Sequence, residues 1–444
     1  MNSYSLKEIA LAMGGELHGS NIQVNDFSID SREIKKDDIF IALKGDNYDA
    51  HDYIKQIESE VSCVVCSKDY EWKELSCNKI IVDDTLDALQ KFSKFNRNNN
   101  KAIFIAVTGS NGKTTVKEMI ASILSKYKIS YTEGNLNNHI GVPLTLLSCN
   151  ENHDFAIIEI GSNSLGEIMA LSSLVRPHIG VVTNIGHAHL EGFKKIENTA
   201  KEKSSIYQSV IENGTSIINR NDRFFDSMKE KIKSKLLSFG YSDCDIKVVK
   251  SSKNNCVLSI LGEELDLKTQ FSGEHNFLNA ACAAAVCYSL NISINEIKQG
   301  LEKFSPVKSR LNILTLQDDI TLIDDCYNAN PNSFQAAIDF LSKYKKDKWI
   351  IMGDMAELGD NSIEMHKEIG HYAKTCSIDK LISYGKHSKY ASQEYNSHSP
   401  HFSSLNDLYL YLDSNLHANI CLLIKGSRNM KLESVVEYLK AKGT

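Results

Sequence analysis

A glycine-containing loop between an apolar run and a helical pattern constrains this chain more than any other feature. The run "AIFIAV", residues 102–107, is continuously apolar, as is typical of a strand buried on both faces of a parallel sheet. It leads into "TGSNGKTT", residues 108–115, and then into a stretch whose apolar residues recur at helical spacing. The order strand, glycine loop, helix predicts an α/β fold. It also predicts an anion site at the helix N-terminus, where free backbone N–H groups and the helix dipole attract phosphate.

This loop differs from the commoner nucleotide loop, whose pattern is G-x-x-x-x-G-K-[ST]. Val107 stands where that pattern has its first glycine, whereas Gly112, Lys113 and Thr114 fit it. Lys113 can reach the terminal phosphates of a nucleotide, and the Thr114 hydroxyl can bind Mg²⁺. The alternative is an ordinary strand–turn–helix without a ligand, but the context of buried strand and helix start favours a nucleotide site. The loop alone does not indicate a reaction.

Apolar runs of strand length alternate with helix-like stretches over the whole chain, which predicts α/β architecture with mainly parallel sheets. The length of 444 residues suggests about three domains. We place the first boundary in the polar segment "FNRNNNK", residues 95–101, interpreted as a linker, and the second near residue 307 in "KFSPVKSRLN". The predicted domains are therefore 1–98, 99–307 and 308–444.

Composition and charge argue against several classes of protein. The net charge is −6 and no long basic run is present, which argues against a nucleic-acid partner. Residues 1–17 predict an amphipathic helix rather than a signal peptide, and no apolar run reaches the roughly 18 residues that a membrane span needs. We therefore expect a cytoplasmic protein with free thiols.

Cys63 and Cys66 form a C-x-x-C pair, for which two cysteines on a buried strand are favoured over a metal or redox site.

Ionisable residues follow two of the predicted strands in the middle of the chain. Glu159 lies in the apolar stretch "FAIIEI", where a carboxylate is costly unless it is paired or bound to a metal. Because strand C-termini converge on the ligand crevice of an α/β sheet, Glu159 could share a Mg²⁺ with Thr114. His187 and His189 follow the next strand and are placed at the same crevice, although histidines in such a loop are often exposed to solvent.

Taken together, these stretches resemble the Mur ligases, the ATP-dependent amide-forming enzymes that build the peptide of the peptidoglycan precursor. That family uses the short loop T-G-x-N-G-K-T, which residues 108–114 match in full. Segments similar to the family extend over nearly the whole chain: "DFSIDSREIKKDDIFIALKGDNYDAHDYI" (26–54), "GNLNNHIGVPLTLL" (134–147), "DDCYNANPNSFQAAI" (324–338) and "MGDMAELG" (352–359). The last three are closest to one member of the family, which joins D-alanyl-D-alanine to a UDP-N-acetylmuramoyl-tripeptide.

The resemblance implies an architecture of three α/β domains. These are a mixed α/β N-terminal domain that holds the UDP-sugar, a central P-loop ATPase domain with a mainly parallel sheet, and a C-terminal Rossmann-like domain. The C-terminal domain would close over ATP and bind the amine substrate. The resemblance also implies ATP, Mg²⁺ and an acyl-phosphate intermediate, with UDP-N-acetylmuramoyl-tripeptide and D-alanyl-D-alanine as partners. A monomer is the default expectation, and the third residue of the tripeptide, lysine or diaminopimelate, stays open.

The family's residue roles carry over onto the matching positions of this chain. The resemblance implies catalytic roles for Lys113, His189, Lys203 and Arg310. It implies metal binding by Thr114, Glu159, His189 and, as a carbamate, Lys203. It implies nucleotide contacts for Thr108, Gly109, Ser110, Asn111, Gly112, Lys113, Thr114, Thr115, Asn276, Asn279, Asp325, Tyr327, Asn328 and Asn330. It implies substrate contacts for Ser31, Arg32, Asn135, Asn137, Asn138, Lys425 and Arg428.

Several alternatives stay open. The carbamate could belong to Lys203, which fits the family register better, or to Lys201, and the simpler interpretation of both is a solvated lysine face. A folylpolyglutamate synthetase-like ligase would share the middle and last regions but lacks the "DSREIKKDDIFIALKG" type of N-terminal domain. Another Mur ligase, the member that adds the third amino acid, shares the first block but typically has a different motif at the "DDCYNANP" position. A nucleotide-driven switch would need only the loop and Glu159, and would leave "DDCYNANP" and "GEHNFLNAA" unexplained.

Overall fold

Three larger sheets follow one another along the chain, in the order that the apolar runs predict. The computed structural model describes residues 1–45, 47–187, 189–252 and 254–442. Within those ranges, no helix combines the length and the apolar character that crossing a bilayer requires.

The first sheet and its helices occupy the N-terminal part of the chain. In the described residues its strand order is β2-β7-β6-β5-β4, antiparallel between β2 and β7 and parallel elsewhere. The elements are β1 (Tyr4–Ser5), α1 (Leu6–Met13), β2 (Glu16–His18), β3 (Gln23–Val24), β4 (Phe27–Ser28), β5 (Ile39–Ile41), α2 (Ile54–Ile57), β6 (Cys63–Ser67), β7 (Asn78–Val82) and α3 (Thr85–Asn98).

The predicted N-terminal helix is shorter than residues 1–17. It begins after Ser5, whose hydroxyl accepts from the Glu8 N–H while the Glu8 carboxylate accepts from the Ser5 N–H, a capping box. It ends at Gly14, whose φ of 71° is left-handed. The interpretation of the C-x-x-C pair as part of a buried strand is confirmed. Cys63 and Cys66 lie on β6, both thiols are buried, and burial raises the pKa of each.

The central sheet carries the phosphate-loop strand in its interior. Among the described residues its order is β16-β15-β14-β13-β12-β11-β8-β10-β9, parallel from β9 to β14 and antiparallel from there on. Its elements are β8 (Ile103–Thr108), α4 (Lys113–Ile123), β9 (Ile129–Tyr131), α5 (Gly141–Ser148), β10 (Phe155–Glu159), α6 (Glu167–Val175), β11 (Ile179–Val182), α7 (Leu190–Phe193), α8 (Ile196–Ser204), β12 (Thr215–Asn219), α9 (Phe225–Lys229), β13 (Lys235–Gly240), β14 (Ile246–Ser252), β15 (Asn255–Ile260), β16 (Glu263–Lys268), α10 (Glu274–Ser289) and α11 (Ile294–Lys303).

The apolar run that forms β8 is buried on both faces. Phe104 and Ala106 pack in one core cluster, whereas Ile105 and Val107 pack in another with α4 and α10. The next strands in sequence, β9 and β10, lie on one side of β8, and β11 lies on the other. The loops after β8 and β11 therefore diverge, which opens a crevice at the C-terminal edge of the sheet.

Residues 95–101 do not form the linker that their composition predicted. The first four complete the last turn of α3, and Asn96 and Arg97 are buried. Asn96 Nδ2 donates to two backbone carbonyls at the end of α5, at 2.9 and 2.8 Å, and Arg97 Nε donates to a carbonyl at the end of α6 at 2.6 Å. Because carbonyls at helix ends lack partners within their own helix, these polar side chains bind α3 to the central helices.

The third sheet has mainly parallel strands with helices between them. In the part of the chain that the structure describes, its order is β17-β18-β22-β19-β20-β21, with β17 antiparallel to β18. The elements are β17 (Asn312–Thr315), β18 (Thr321–Asp324), α12 (Pro331–Ser342), β19 (Asp347–Gly353), α13 (Ser362–Thr375), β20 (Lys380–Tyr384), α14 (Ser388–Tyr395), β21 (His401–Phe402), α15 (Leu405–Asn415), β22 (Ile420–Lys425) and α16 (Glu433–Lys442).

A buried histidine orders the loop that follows β19. His366 lies on α13 and is fully buried. Its Nε2 accepts a hydrogen bond from Met355 N at 3.0 Å, and its Nδ1 donates to Ser362 O at 2.6 Å. One nitrogen accepts while the other donates, which requires the neutral imidazole. Burial lowers the pKa of His366 below its ordinary value, against the opposing effect of the Ser362 hydrogen bond.

Acidification should therefore destabilise this region through His366. A lowered pKa in the folded state means that the contribution is complete above the unfolded pKa of about 6.5 and is lost as the pH falls through the folded value. In a Trp72→Phe background, Trp349 on β19 is the remaining tryptophan, and its fluorescence follows urea unfolding of the third sheet. The wild-type protein should lose unfolding free energy as the pH falls from about 7.5 to about 5.5. We expect the His366→Gln protein to lose about 1 kcal/mol less over the same range. An equal pH dependence in both proteins would contradict this.

Candidate active site

The C-terminal ends of the central strands face the third sheet across a cleft of about 560 Å³, which we call the central cleft. Most residues predicted for the site line it. They are Ser110, Asn111, Gly112, Lys113, Thr114, Thr115, Asn135, Asn137, Asn138, Glu159, His189, Asn276, Asn279, Arg310, Asp325, Tyr327, Asn328, Asn330, Lys425 and Arg428.

Two glycines let the phosphate loop pass close to its neighbours. Gly109 has φ 147°, and a Cβ there would lie 1.9 Å from Thr183 Oγ1. Gly112 has φ 80°, and a Cβ there would lie 2.4 Å from Asn279 Oδ1. Only glycine fits both positions, because other residues would meet a clash and a strained backbone together. The loop is therefore close-packed against its neighbours, and Gly112, Lys113 and Thr114 line the central cleft at the N-terminus of α4.

Lys113 is the first residue of α4 and is half-buried. Its Nζ donates to Gly109 O at 2.8 Å and to Ser110 O at 3.4 Å, so the side chain folds back over the loop. Burial lowers the pKa of Lys113, Arg310 acts in the same direction, and Glu159 opposes them. The ammonium is thus held at the helix N-terminus, where a bound phosphate would meet it.

Thr114 and Glu159 form the oxygen pair that the sequence predicts. Glu159 ends β10 and is 2 % exposed. Its Oε2 accepts from Thr114 Oγ1 at 2.8 Å, and its Oε1 accepts from Asn137 Nδ2 at 2.8 Å. A hydroxyl beside a carboxylate fits Mg²⁺, which prefers oxygen ligands and takes phosphate and water oxygens for its other positions. In the described ranges no three histidine, cysteine, aspartate or glutamate side chains are grouped as a metal site, so the fit rests on this pair.

The two histidines after β11 face the third sheet rather than open solvent. His189 Nδ1 contacts the carboxylate of Glu357, and this contact lowers the pKa of Glu357. The His187 main-chain N–H donates to Asn332 Oδ1 at 2.8 Å. His189 lines the central cleft, as the sequence predicts. The two residues contact the third part of the chain at Glu357, in the loop after β19, and at Asn332, in the first turn of α12.

The two candidate lysines on α8 differ sharply in their surroundings. Lys203 is fully buried, and its Nζ donates to Ser162 Oγ at 2.7 Å. Burial lowers the pKa of Lys203 to about 7, and the nearby Lys113 acts in the same direction. Lys201 is exposed. The interpretation as a solvated lysine face is therefore right for Lys201 and wrong for Lys203.

Glu202 fixes which way α8 faces. Its carboxylate accepts from the backbone N–H groups of Gly166 and Ile168, at 2.6 and 2.7 Å, at the start of α6. This caps the free donors of that helix N-terminus. With Glu202 directed at α6, Lys203 reaches Ser162, and Ser162 in turn lines the central cleft.

Side chains of the C-terminal part reach the phosphate loop directly. Arg310 Nη2 donates to Thr114 Oγ1 at 3.0 Å, and its guanidinium lies 4.1 Å from the centre of the Tyr327 ring. Asn330 Nδ2 donates to Asn111 Oδ1 at 2.7 Å. The structure thus brings residues of two sheets to a single loop, which allows them to act on one ligand.

The remaining third-sheet residues lie at the end of β22. Lys425 Nζ donates to Asp325 Oδ2 at 2.6 Å and to Asn328 O at 3.1 Å. Arg428 is largely exposed and pairs with Glu433 at 3.3 Å. Arg428 lines the central cleft beside the Tyr327 ring, whereas the buried Lys425 holds the Asp325 segment in place.

Five of the predicted site residues that the structure describes do not line the central cleft. Thr108 and Gly109 form the start of the phosphate loop on the side away from the cleft, where Thr108 Oγ1 donates to Ile160 O at 2.7 Å, and Lys203 lies beneath Ser162. Ser31 and Arg32 lie apart from the cleft on the first sheet's surface, where Arg32 pairs with Asp30 through contacts of 2.9 and 2.6 Å. The proposed UDP-sugar contacts are thus separate from the phosphate loop.

Sequence reasoning missed several residues that build this site. Asn184 Oδ1 accepts from Asn111 N at 3.0 Å, and Thr183 Oγ1 donates to Asn111 O at 2.6 Å. Glu357 and Asn332 contact the histidine loop from the third sheet. The position of Asn184 just after β11 was a usable indication, because polar residues at parallel strand ends face the crevice. The other contacts join segments that are distant in sequence, and no local pattern marks them.

Comparisons with known proteins agree along the whole chain. Residues 107–287 match the Mur ligase middle domain, and residues 309–428 match the "Mur ligase, glutamate ligase domain". The UDP-N-acetylmuramoyl-tripeptide–D-alanyl-D-alanine ligase of Haemophilus influenzae is 35% identical over 457 residues, covering 100% of this chain and 99% of the relative. The ligase of the same name from Escherichia coli is 35% identical over 455 residues and covers 100% of both. The crystal structure of MurF from Acinetobacter baumannii superposes with a TM-score of 0.94, at 30% identity and 99% coverage of each chain.

Proposed function

The chain belongs to the Mur ligase family, and we propose that it joins D-alanyl-D-alanine to a UDP-N-acetylmuramoyl-tripeptide in an ATP-dependent reaction. The product is the UDP-N-acetylmuramoyl-pentapeptide precursor of peptidoglycan. The observation that carries the proposal is the bond from Arg310 to Thr114 across the central cleft. It places a cation of the third sheet beside the phosphate loop of the central sheet, as transfer of a phosphoryl group between two anions requires.

The chemistry follows from what an amide ligase must overcome. The terminal carboxylate of the tripeptide attacks the γ-phosphate of ATP, which gives an acyl phosphate and ADP. The amine of D-alanyl-D-alanine then attacks the activated carbonyl carbon and loses a proton, and the tetrahedral intermediate collapses to the amide and phosphate. Lys113 and Arg310 neutralise negative charge on the transferring group. The loop backbone and the residues of both sheets align the reactants.

We further infer that this site uses Mg²⁺ and a carbamylated lysine. Thr114 and Glu159 would hold one Mg²⁺, and bound there the ion would neutralise charge on the nucleotide phosphates. His189 and a carbamate on Lys203 would hold a second. The support is that Lys203 is buried beneath the cleft wall with a pKa lowered to about 7, so that much of it is neutral amine near neutral pH.

The domain division into 1–98, 99–307 and 308–444 remains our proposal. Each part contains one of the three larger sheets, and the segments between those sheets include the two proposed boundaries. Ser31 and Arg32 in the first part would contact the UDP-sugar. Asn135, Asn137, Asn138, Lys425 and Arg428, which line the central cleft, would contact the substrates there. We also propose a cytoplasmic monomer.

The alternatives explain less of the chain. A folylpolyglutamate synthetase-like ligase lacks the N-terminal domain, whereas the relatives from Haemophilus influenzae and Escherichia coli match this chain over its whole length. A nucleotide-driven switch would need only the loop and Glu159, so it does not explain why Arg310 and Asn330 bond to the phosphate loop.

Phosphate release from ATP should require both the UDP-tripeptide and D-alanyl-D-alanine. The expectation follows because the acyl phosphate cannot form without the carboxylate, and it passes its acyl group on only when the amine is present. The measurement is inorganic phosphate released with each substrate omitted in turn, using the lysine- and the diaminopimelate-containing tripeptides side by side. Equal phosphate release without either substrate would favour the switch over the ligase.

A further inference from the structure

A fully buried lysine lies next to the nucleotide site and has no part in the proposed reaction. Lys117 is on α4, one turn after Lys113. Its Nζ donates to Thr132 O at 2.5 Å and pairs with Glu118 Oε1 at 2.9 Å, and it lies 5.5 Å from the centre of the Tyr131 ring. A buried ammonium is costly unless such partners hold it, so its position is fixed by them.

Thr132 is the point where β9 gives way to the loop of residues 133–138. It is fully buried, its N–H donates to Ile157 O at 3.0 Å, and its Oγ1 accepts from Glu159 N at 2.9 Å. Those two bonds tie Thr132 to β10. Its carbonyl oxygen is left to the Lys117 ammonium, which therefore provides the connection between α4 and the start of this loop.

The far end of the same loop is held at Glu159, the proposed Mg²⁺ ligand. Asn137 O accepts from Gly161 N at 2.8 Å, and Asn137 Nδ2 donates to Glu159 Oε1. Between these two ends, residues 133–136 are exposed, and Gly134 adopts a left-handed φ of 52°. Two backbone bonds inside the loop, from Leu136 N to Glu133 O at 3.1 Å and from Asn137 N to Asn135 O at 2.7 Å, shape its turn. Burial does not fix that turn in place, so its position relative to the cleft depends on the anchored ends. Asn135 and Asn137 of this loop line the central cleft.

We propose that Lys117 is a positioning residue for the UDP-peptide. Its ammonium holds the start of the loop 133–138 against the nucleotide-binding helix, so that Asn135 and its neighbours face the peptide substrate in the central cleft. The nucleotide contacts lie at the N-terminus of the same helix, one turn before Lys117, and the bond from Lys117 to Thr132 is not among them. The inference rests on the proposed function, because the UDP-peptide is the ligand that this loop would meet.

The test compares Lys117→Met, which keeps the apolar stem and removes the ammonium, with Glu118→Gln. The glutamine variant keeps the bond from Lys117 to Thr132 and serves as the matched control. For Lys117→Met we expect the KM for the UDP-tripeptide to rise about tenfold, because a buried carbonyl loses its partner. The kcat and the affinity for an ATP analogue should change by less than about twofold, since uniform binding of one substrate is lost. Amide hydrogen exchange should become faster in residues 133–138 and stay unchanged in α4.

Parallel losses of ATP-analogue affinity and UDP-peptide affinity would overturn the proposal, as would an unchanged KM with unchanged exchange in the loop. Lys117→Gln, which retains a neutral donor, is the second variant if Lys117→Met does not fold. Failure of both to fold would also count against the proposal, because the lysine would then serve the whole fold. If the wild-type protein does not turn over the UDP-tripeptide, the proposed function fails, whereas the exchange comparison still decides whether Lys117 orders the loop.

Discussion

Replacing Lys113 by alanine should lower the rate of ligation by at least about a hundredfold and leave the protein folded. The Lys113 ammonium is already in place over the phosphate loop, 2.8 Å from Gly109 O, at the N-terminus of α4. A charge that is positioned before the reaction needs no rearrangement as negative charge moves onto the leaving ADP. Its loss should raise the barrier by roughly 3 kcal/mol or more.

Steady-state ligation at saturating ATP measures this effect, and circular dichroism with thermal unfolding verifies the fold. Lys113 is half-buried rather than part of the core, so we expect little loss of packing. Lys126→Ala is the matched control, because that lysine follows the end of α4 and is 61% exposed. A Lys113→Ala protein with more than half the wild-type activity would contradict the phosphate-loop assignment.

The nucleotide part of the site could be predicted because its determinants are local in sequence. About twenty consecutive residues contain the apolar run of β8, the two glycines and the start of α4. Each of these features predicts its local structure from neighbouring residues alone. Glu159 could be placed at the crevice for a related reason. A carboxylate at the end of a buried apolar strand lies at the C-terminal edge of the sheet, which is where ligands bind in α/β folds.

The contacts across the central cleft could not be derived in this way. Arg310 bonds to Thr114 over 196 residues of sequence, and Asn330 bonds to Asn111 over 219. No spacing encodes such pairs, and only the family resemblance pointed to Arg310 and Asn330. Glu357 lies in the segment 352–359 that resembles the family, yet nothing in that segment's sequence indicates the contact with His189.

Composition also misled where polar residues serve buried backbone groups. The asparagine-rich segment 95–101 has the composition of a linker, but Asn96 and Arg97 donate to carbonyls at the ends of α5 and α6. Composition shows that a segment is polar, but it does not show whether its side chains bond to water or to backbone groups at a helix end. The same limit applies to α8, where two lysines of equal polarity have opposite environments.

Helix geometry places Lys201 and Lys203 on opposite faces of α8. Residues two apart on an α-helix point about 200° from each other, so only one of Lys201 and Lys203 can face the interior. Glu202 is directed at the start of α6, and Lys203 is the lysine that reaches Ser162 beneath the central cleft. Burial lowers its pKa to about 7, so part of the lysine is neutral amine near neutral pH, and that nitrogen could attack CO₂ and release a proton to give a carbamate anion. That step would convert a repelled cation beside Lys113 into an anion suited to a metal.

Lys203→Ala should therefore be nearly inactive, and a short carboxylic acid such as formate or acetate should partly restore ligation by filling the space that the side chain leaves. Lys201→Ala, the matched control on the same helix, should stay active and should not respond to the acid. Carbon-13 NMR of the wild-type protein in labelled bicarbonate should show one carbamate resonance that Lys203→Ala lacks and Lys201→Ala keeps. The reverse pattern would move the carbamate to Lys201, and full activity of both variants would exclude a catalytic carbamate on α8. A folded, inactive Lys203→Ala protein with no carbamate resonance in the wild type would leave Lys203 acting as a buried amine that holds Ser162 in the cleft wall.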